Sequence, residues 1–389
     1  MNHKPALFII GIILLAANLR APIVAFGPLV EEIIQATGSS ATVMGVIGTL
    51  PVLTFAACSS FAAKLARRFG LENVLLFGLV LIGVGGFVRS MRADSLMIMV
   101  GTVILCAGIA MGNVLLAAVI KRDQPNHIER MTALQMFSFS ILSAIASAFA
   151  VPLAKTLGWQ FALGIWSVCS IPAFVVWWRM RRRRGPHTAA VVNPSEATFN
   201  IWRSVLAWKI SAYTGLQSML FYSMVTWLAT IVAARGFSET EAGLYNTLFQ
   251  LIALPTVVFI TPLAERYPHM HHLLIAAGSM MFIGLLGVWY MPVEWLWLCV
   301  IVLGIGACAS FTFCLMLFAL RGQNAVQSAA LSGMGQTVGY MIAAFGPFTV
   351  GWLLESSGGW TLPIYGLLAV TIILMSTGWF AGQRGRLNP

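Results

Sequence analysis

The chain has 389 residues, of which 59% are hydrophobic and only 9% are charged. Soluble domains carry about 25% charged residues and about 45–50% apolar ones. This composition excludes a water-soluble globular protein and predicts a chain built for a lipid bilayer. The formal net charge of +11 does not indicate nucleic-acid binding, because the positive charges follow the pattern of membrane proteins.

Twelve apolar segments follow one another, each long enough to cross about 30 Å of hydrocarbon as an α-helix. Six lie at 6–30, 42–63, 73–91, 95–120, 131–154 and 159–178. Six more lie at 206–233, 241–263, 272–291, 295–320, 325–353 and 360–381. The alternation with period two that is typical of a membrane β-barrel is absent. We therefore predict an all-α polytopic membrane protein with twelve transmembrane helices, the first of which is retained rather than cleaved as a signal peptide.

Lysine and arginine residues are distributed unevenly between the two sides of this predicted bundle. With the N-terminus in the cytoplasm, 18 of the 23 lie inside, Arg20 alone lies at mid-membrane, and four lie outside, namely Arg89, Arg92, Lys155 and Arg235. Both termini are therefore predicted to be cytoplasmic. The longest polar stretch divides the segments six and six. We predict an N-terminal six-helix bundle at 1–178, a cytoplasmic basic linker at 179–205 and a C-terminal six-helix bundle at 206–389.

Weak internal repeats indicate that the two halves share one architecture. The stretch "LPVLTF" at Leu50 resembles "LPTVVF" at Leu254. Arg122 matches Arg321, and each comes just after the fourth segment of its half. Two parallel six-helix halves predict alternating access around a central site.

Arg20 places a permanent charge in the middle of the first segment, within "ANLRAPIVAFGP". An arginine at the centre of a membrane helix costs about 2.5–3.5 kcal/mol on insertion scales. None of the twelve Asp and Glu residues lies at the same depth. Polar side chains, helix carbonyls or an anionic or dipolar solute are therefore the expected partners. A planar guanidinium suits small oxyanions, and a purely structural role is the alternative.

Other polar and aromatic side chains fall within the predicted helices and are candidates to line the same site. They are Asn113, Gln217, Tyr222, Trp227, Gln250, Gln336 and Tyr340. Asn18 lies two residues before Arg20, and this spacing puts the two side chains on different faces of a helix. Each of these residue types is also typical of contacts between membrane helices, so packing is the alternative for each.

Prolines and glycines interrupt two of the segments. Pro22, Gly27 and Pro28 follow Arg20 in the first segment, and Pro347 lies in the eleventh. Proline frees a backbone carbonyl and permits a kink. We predict kinks at both places, which serve either gating or simple curvature.

The sequence offers no evident site for a metal, a cofactor or a transferred proton. The six cysteines lie in apolar runs without metal-ligand spacing, which indicates small core residues rather than disulfides. The histidines and carboxylates lie in loops or near helix ends, so facilitated diffusion, exchange and a proton carried by the solute all stay open. Motifs of metalloproteases, serine hydrolases and phosphate-binding loops are absent, which disfavours a membrane-embedded enzyme or an ATP-driven pump.

Four stretches, "LRAPIVAFGPL", "LPVLTFAA", "GNVLLAAVIKRD" and "GLQSMLFYSMVTWL", resemble the major facilitator superfamily and, within it, the cyanate and 2-nitroimidazole transporter group. The resemblance covers nearly the whole chain. It implies a cofactor-free, monomeric carrier in the bacterial inner membrane that moves a small anion or a small polar heterocycle. Efflux of 2-nitroimidazole or other small drug-like compounds is the alternative. The arginine in the first helix of that group matches Arg20.

The chain departs from the superfamily at two places. The loop after the second helix resembles G-x-L-A-D-R-x-G-R-K in the superfamily, whereas this chain reads "KLARRFGLEN". Arg67 replaces the aspartate, and Leu71 and Glu72 stand where basic residues are expected, which puts the charge relay attributed to that aspartate in question. In the seventh helix, "WL" is followed by Ala229 instead of proline, which predicts a different bend.

Overall fold

A computed structural model describes residues 5–124, 127–182, 201–266, 270–322 and 325–383. Within these ranges the regular secondary structure is entirely helical. Both chain ends and residues 183–200 of the predicted basic linker lie outside the described residues.

Sixteen α-helices are described. The first eight are α1 (Pro5–Val24), α2 (Val30–Thr37), α3 (Ala41–Phe69), α4 (Leu71–Ser90), α5 (Ser95–Asp123), α6 (Ile128–Leu157), α7 (Trp159–Val168) and α8 (Ser170–Arg182). The others are α9 (Val205–Ala233), α10 (Glu239–Leu251), α11 (Ala253–Arg266), α12 (Met270–Tyr290), α13 (Leu296–Arg321), α14 (Ala325–Ala343), α15 (Phe345–Ser357) and α16 (Thr361–Gly382). Alone or in pairs, they provide twelve described spans that are long and apolar enough to cross a membrane, which confirms the predicted all-α polytopic fold.

Four of these spans are broken into two helices, and each break lies near a proline. The last helical residue before the break is always four positions before that proline. The pairs are Val24 and Pro28, Val168 and Pro172, Leu251 and Pro255, and Ala343 and Pro347. A helical N–H donates to the carbonyl four residues earlier, so a proline leaves that carbonyl without its donor. The first and eleventh spans are thus interrupted near Pro28 and Pro347, as the sequence indicates.

Other prolines do not break their helices. Pro22, Pro51 and Pro152 lie inside α1, α3 and α6, which continue past them. α9 also runs without a break past Ala229, where an N–H is present to keep the helical bond.

The described helices form two compact units. The first unit contains the described residues up to Arg182 apart from Ala41–Val52. The second contains Ala41–Val52 and the described residues from Ile201 onwards. The N-terminal part of α3 thus packs with the second unit, although it precedes the predicted boundary at 178. The division into two bundles at the predicted boundaries stays a prediction.

Each unit packs its third and fourth spans through glycines. In the first unit, a Cβ on Gly85 of α4 would overlap the backbone nitrogen of Leu105 on α5. In the second unit, a Cβ on Gly284 of α12 would overlap the backbone nitrogen of Leu303 on α13. Small residues let membrane helices approach closely, which favours their association in lipid. The same contact at corresponding positions indicates that the two units repeat one packing arrangement.

Candidate functional site

Arg20 lies near the middle of the first span, Ala6–Thr37, on α1. Its side chain is half-buried. The guanidinium carbon lies 5.8 Å from the ring centroid of Phe139 on α6. This distance is within the range of a cation–π contact, which stabilises a charge by about 0.5–2 kcal/mol depending on its exposure to water. The side chain therefore presents its cation towards an aromatic ring of the neighbouring helix.

Asn18 faces a different neighbour. It is 1% exposed, and its Nδ2 donates to the carbonyls of Leu14, at 2.8 Å, and Cys169, at 3.1 Å. Cys169 lies at the break between α7 and α8. Asn18 and Arg20 thus point to different faces of α1, as their spacing predicts.

The break that follows Arg20 is held by a buried arginine. The backbone N–H of Phe26 donates to the carbonyl of Ile23, instead of making the helical bond to Pro22. Arg89, at the end of α4, is 2% exposed and donates from Nη2 to the Pro22 carbonyl at 2.7 Å. Its Nε has no hydrogen-bond partner. The distribution of lysine and arginine predicts Arg89 as an outer charge, whereas the structure buries it.

On α5, Asn113 is exposed, whereas its neighbour Gly112 is buried against α1. A Cβ on Gly112 would overlap the side chain of Leu19. The glycine therefore lets α1 and α5 approach each other one residue away from Arg20 along α1. The structure places Asn113 beside this close approach.

Two predicted site residues of the second unit, Tyr222 and Tyr340, lie in one set of aromatic rings with Phe221 and Phe249, which we call the aromatic cluster. Tyr222 packs with Val52 and Ala343, and Tyr340 and Phe221 lie against them. The Phe221 ring lies 6.1 Å from that of Phe249 on α10, the residue before Gln250. The structure therefore brings Tyr222 and Tyr340 together and connects them through these rings to the helix that carries Gln250.

The other three predicted residues use polar atoms within the protein. Gln217 is 1% exposed, and its Oε1 accepts from the Ser218 hydroxyl at 3.2 Å. The exposed Gln336 donates to the hydroxyl of Ser332 at 3.0 Å. Trp227 is fully buried and donates from Nε1 to the Pro347 carbonyl at 3.0 Å. These contacts are typical of packing, the alternative that the sequence left open, and a role in solute contact stays a prediction.

Two features were not found from the sequence. The first is Asn246 on α10, which is fully buried and leaves both side-chain polar atoms without a hydrogen-bond partner. The second is an ion cluster at the start of α4 and the end of α5, where Arg122 lies 2.6 Å from Glu72 and 2.9 Å from Asp123. Glu72 stands where the superfamily loop has a basic residue, and in this chain it supplies a carboxylate partner for Arg122.

The ion cluster keeps Arg122 charged. Burial lowers the pKa of Arg122, but its hydrogen bonds and charge interactions with Asp123 and Glu72 outweigh this effect, and the pKa is raised overall. The cationic form is the one that both carboxylates bind. The cluster therefore connects the start of α4 to the end of α5 through charged side chains.

Neither a metal site nor a disulfide is present in the described part of the chain. No group of three or more His, Cys, Asp or Glu side chains among the described residues could hold a metal ion. All six cysteines are free thiols. In the described residues, the candidate site therefore consists of hydrogen-bonding side chains, aromatic rings and arginines.

Comparison with known proteins places this arrangement in a family. Residues 7–344 match the Major Facilitator Superfamily. The chain is 37% identical to the uncharacterized transporter YycB of Bacillus subtilis, over 96% of this chain and 93% of that protein. It is 33% identical to the 2-nitroimidazole transporter of Escherichia coli, over 96% and 95% of the two chains. It is 24% identical to the cyanate transport protein CynX of Escherichia coli, over 93% and 95%.

The fold agrees with this family. A solved structure of a bacterial homolog of the human lysosomal transporter Spinster superposes with a TM-score of 0.81 at 12% sequence identity, over 98% of each chain. The named relatives and this structural neighbour are transporters and not enzymes. The chain therefore belongs to the Major Facilitator Superfamily, and it is a multi-pass membrane transporter related to the cyanate and 2-nitroimidazole transporter group.

Proposed function

We propose that this transporter moves a small anion or a small polar heterocycle across the bacterial inner membrane by alternating access, with Arg20 in contact with the solute. The names of two relatives, a cyanate transport protein and a 2-nitroimidazole transporter, support these two solute classes. The proposal includes cytoplasmic termini, in line with the distribution of lysine and arginine, and a monomer as the working unit.

The position of Arg20 is the observation that carries this proposal. It lies near the middle of a span of 32 residues, and its side chain is only half-buried. The cost of an arginine at this depth makes such a position typical of solute pathways. Guanidinium remains protonated in proteins and carries five N–H donors in a flat fork. Those donors suit the charge of a linear anion or the oxygens of a nitro group.

The broken first span supports the same assignment. α1 ends at Val24, four residues after Arg20. Discontinuous helices near the bilayer midplane form the solute sites of many secondary transporters. Arg89 holds the carbonyl of Pro22 at this break, so the backbone that follows Arg20 is supported from a second helix.

The second unit contributes polar and aromatic groups. We propose that Tyr222 and Tyr340 of the aromatic cluster, together with Gln250, line its part of the solute pathway. Gln250 and Tyr340 belong to spans that are broken into two helices, and Tyr222 packs against Ala343 at the break in the span of Tyr340. Asn113 contributes from the first unit, where its side chain is exposed.

Transport by purified protein in liposomes tests the proposal. Uptake of cyanate and of 2-nitroimidazole is measured with and without a pH gradient, for the wild type, Arg20→Lys and Arg20→Gln. Arg20→Gln is expected to lower kcat/KM by about tenfold or more, which corresponds to about 1.4 kcal/mol of lost transition-state stabilisation. Arg20→Lys is expected to retain more cyanate transport than Arg20→Gln, because it keeps the charge.

A matched control comes from Arg92, an exposed arginine outside the helices. Arg92→Gln removes the same charge from the protein but is expected to leave transport unchanged. Equal transport by the wild type and both Arg20 variants would remove Arg20 from the site. A wild type that moves neither solute would overturn the proposed solute classes.

Efflux of 2-nitroimidazole or of other small drug-like compounds is the second candidate function. Membrane vesicles of both orientations distinguish the directions. Net accumulation of 2-nitroimidazole in inside-out vesicles supports efflux, whereas accumulation only in right-side-out vesicles supports uptake.

A further inference from the structure

Asn246 is a fully buried amide whose side chain makes no hydrogen bond. Its exposed fraction is 0%, and both Oδ1 and Nδ2 lack a partner. A buried donor or acceptor that is left unsatisfied carries its full desolvation penalty. Nearly all buried polar groups in proteins avoid this penalty by pairing. An amide with two such atoms is therefore a candidate for a ligand contact.

A second amide with an unpaired donor lies one helical turn away. Gln250 is 8% exposed, and its Nε2 has no hydrogen-bond partner. Asn246 and Gln250 are four residues apart on α10, so they share one face of this helix. The buried Phe249 lies on the same side and packs 6.1 Å from Phe221 of α9. The two amides therefore face the interior of the second unit.

The helix is broken directly after this pair. α10 ends at Leu251, and α11 begins at Ala253. Pro255 has no N–H to donate to the carbonyl of Leu251. Transporter sites are often built at such broken helices, where irregular backbone lines the solute pathway. The break is independent of the unpaired amides, and it lies at Ile252, two residues beyond Gln250.

The hydrogen-bond donors and acceptors of Asn246 and Gln250 determine which solute the two residues can bind. The Asn246 amide supplies one acceptor and two N–H donors, and Gln250 supplies donors from Nε2. A simple anion such as cyanate offers only acceptors and would leave the Asn246 Oδ1 unsatisfied. A small heterocycle with a ring N–H beside acceptor atoms satisfies Oδ1 and both amide nitrogens together.

We propose that Asn246 and Gln250 form a neutral hydrogen-bonding subsite that selects a small N–H heterocycle over a simple anion. The Oδ1 of Asn246 accepts the ring N–H, and the Nε2 of Gln250 donates to an acceptor of the solute. This inference rests on the proposed transport of such solutes and adds the residues that discriminate between the two classes.

The test compares 2-nitroimidazole with 1-methyl-2-nitroimidazole, which has no ring N–H, and with cyanate. Binding to the purified full chain is measured from the increase in melting temperature with ligand concentration, and transport is measured in liposomes. The wild type is expected to bind 2-nitroimidazole at least tenfold more tightly than its methylated form. Asn246→Leu is expected to abolish this preference and to lower transport of 2-nitroimidazole relative to that of cyanate.

Two further variants separate the roles of the residues. Gln250→Met is expected to weaken binding of both nitroimidazoles equally and so to preserve the tenfold preference. Thr256→Val serves as the matched control on the following helix, because the Thr256 hydroxyl already donates to the Ile252 carbonyl. It is expected to preserve both affinity and preference.

The melting temperature without ligand tests the subsite independently of transport. Asn246→Leu removes two unsatisfied atoms and is expected to melt at a higher temperature than the wild type. A lower melting temperature with an unchanged preference would overturn the proposal and show that Asn246 is a packing residue. A wild type that binds both nitroimidazoles equally would also overturn it. If the wild type binds with the expected preference but moves none of the solutes, the proposed transport fails and the subsite stands.

Discussion

The Nη2 of Arg89 donates to the carbonyl of Pro22 at 2.7 Å, although the two residues lie on different helices and Arg89 is 2% exposed. Pro22 precedes the end of α1, where the helical hydrogen-bond pattern changes. Cations are stabilised near helix C-termini by the helix dipole, by about 0.3–2 kcal/mol. The buried arginine thus takes the place of a backbone donor at the break that follows Arg20.

Substitution of Arg89 is expected to affect transport more than stability. Arg89→Met leaves the Pro22 carbonyl unsatisfied, at a cost of about 1–3 kcal/mol, but it also relieves the desolvation of a buried charge. These effects oppose each other, so the melting temperature is expected to change little. Transport of cyanate and 2-nitroimidazole is expected to fall together, and Arg89→Lys is expected to restore part of it. Unchanged transport by Arg89→Met would show that the break holds its position without this contact.

The ion cluster of Glu72, Arg122 and Asp123 is expected to contribute modestly to stability. The Glu72 and Arg122 side chains are 16% and 27% exposed, and pairs that water reaches are worth about 0.2–1 kcal/mol. A double-mutant cycle with Glu72→Gln and Arg122→Gln, measured by denaturant unfolding in detergent, is expected to give a coupling energy in this range. Glu294→Gln at an exposed position is the control. A coupling energy of zero would mean that the contact between Glu72 and Arg122 does not stabilise the fold.

The glycine contacts predict that Gly85→Ala in the first unit and Gly284→Ala in the second lower stability by similar amounts. Gly85→Ala and Gly284→Ala each place a Cβ against backbone atoms of the facing helix, and overpacking costs about 1–3 kcal/mol. Both variants are expected to melt at lower temperatures by similar amounts. Gly333→Ala has no heavy atom within 4 Å of its added Cβ and is expected to be neutral. A large penalty at only one of the two positions would contradict the equivalence of the two packing arrangements.

Substitution of Trp227 distinguishes a packing role of this side chain from contact with the solute. Its Nε1 donates to the Pro347 carbonyl, and its ring lies 5.8 Å from that of Trp360. Trp227→Phe keeps an aromatic ring and removes the hydrogen bond, which is expected to lower the free energy of unfolding by about 1 kcal/mol. The KM for either solute is expected to stay unchanged. An increase in KM of about tenfold in a stably folded Trp227→Phe protein would instead place Trp227 at the solute.

The spans and their kinks could be predicted from local sequence, because both depend on residues that are close together along the chain. Apolar runs located the twelve spans, and the prolines near Gly27 and Gly346 located two breaks. Pro172 and Pro255 likewise lie four residues after the ends of their helices. Pro51 and Pro152, however, lie inside continuous helices, so a proline alone does not locate a break.

The buried partners could not be predicted in this way, because packing brings together residues that are far apart along the chain. Arg89 has the sequence context of an outer-surface charge, and only the structure shows that it reaches Pro22. Glu72 and Arg122 lie 50 positions apart, and only Glu72 belongs to the loop after the second helix. Asn246 and Gln250 did carry a usable signal, since two amides at helical spacing flank Phe249 in an apolar segment. Their lack of hydrogen-bond partners is visible only in the folded chain.

The dissociation constant of the purified transporter for cyanate, in the wild type and in Arg20→Gln, tests the proposed role of Arg20 most directly. Isothermal titration calorimetry measures it without dependence on transport direction or coupling ion. We predict that Arg20→Gln weakens cyanate binding by about tenfold or more, or about 1.4 kcal/mol, while its melting temperature stays within a few degrees of the wild type. Equal dissociation constants for the two proteins would contradict the assignment of Arg20 to the solute site.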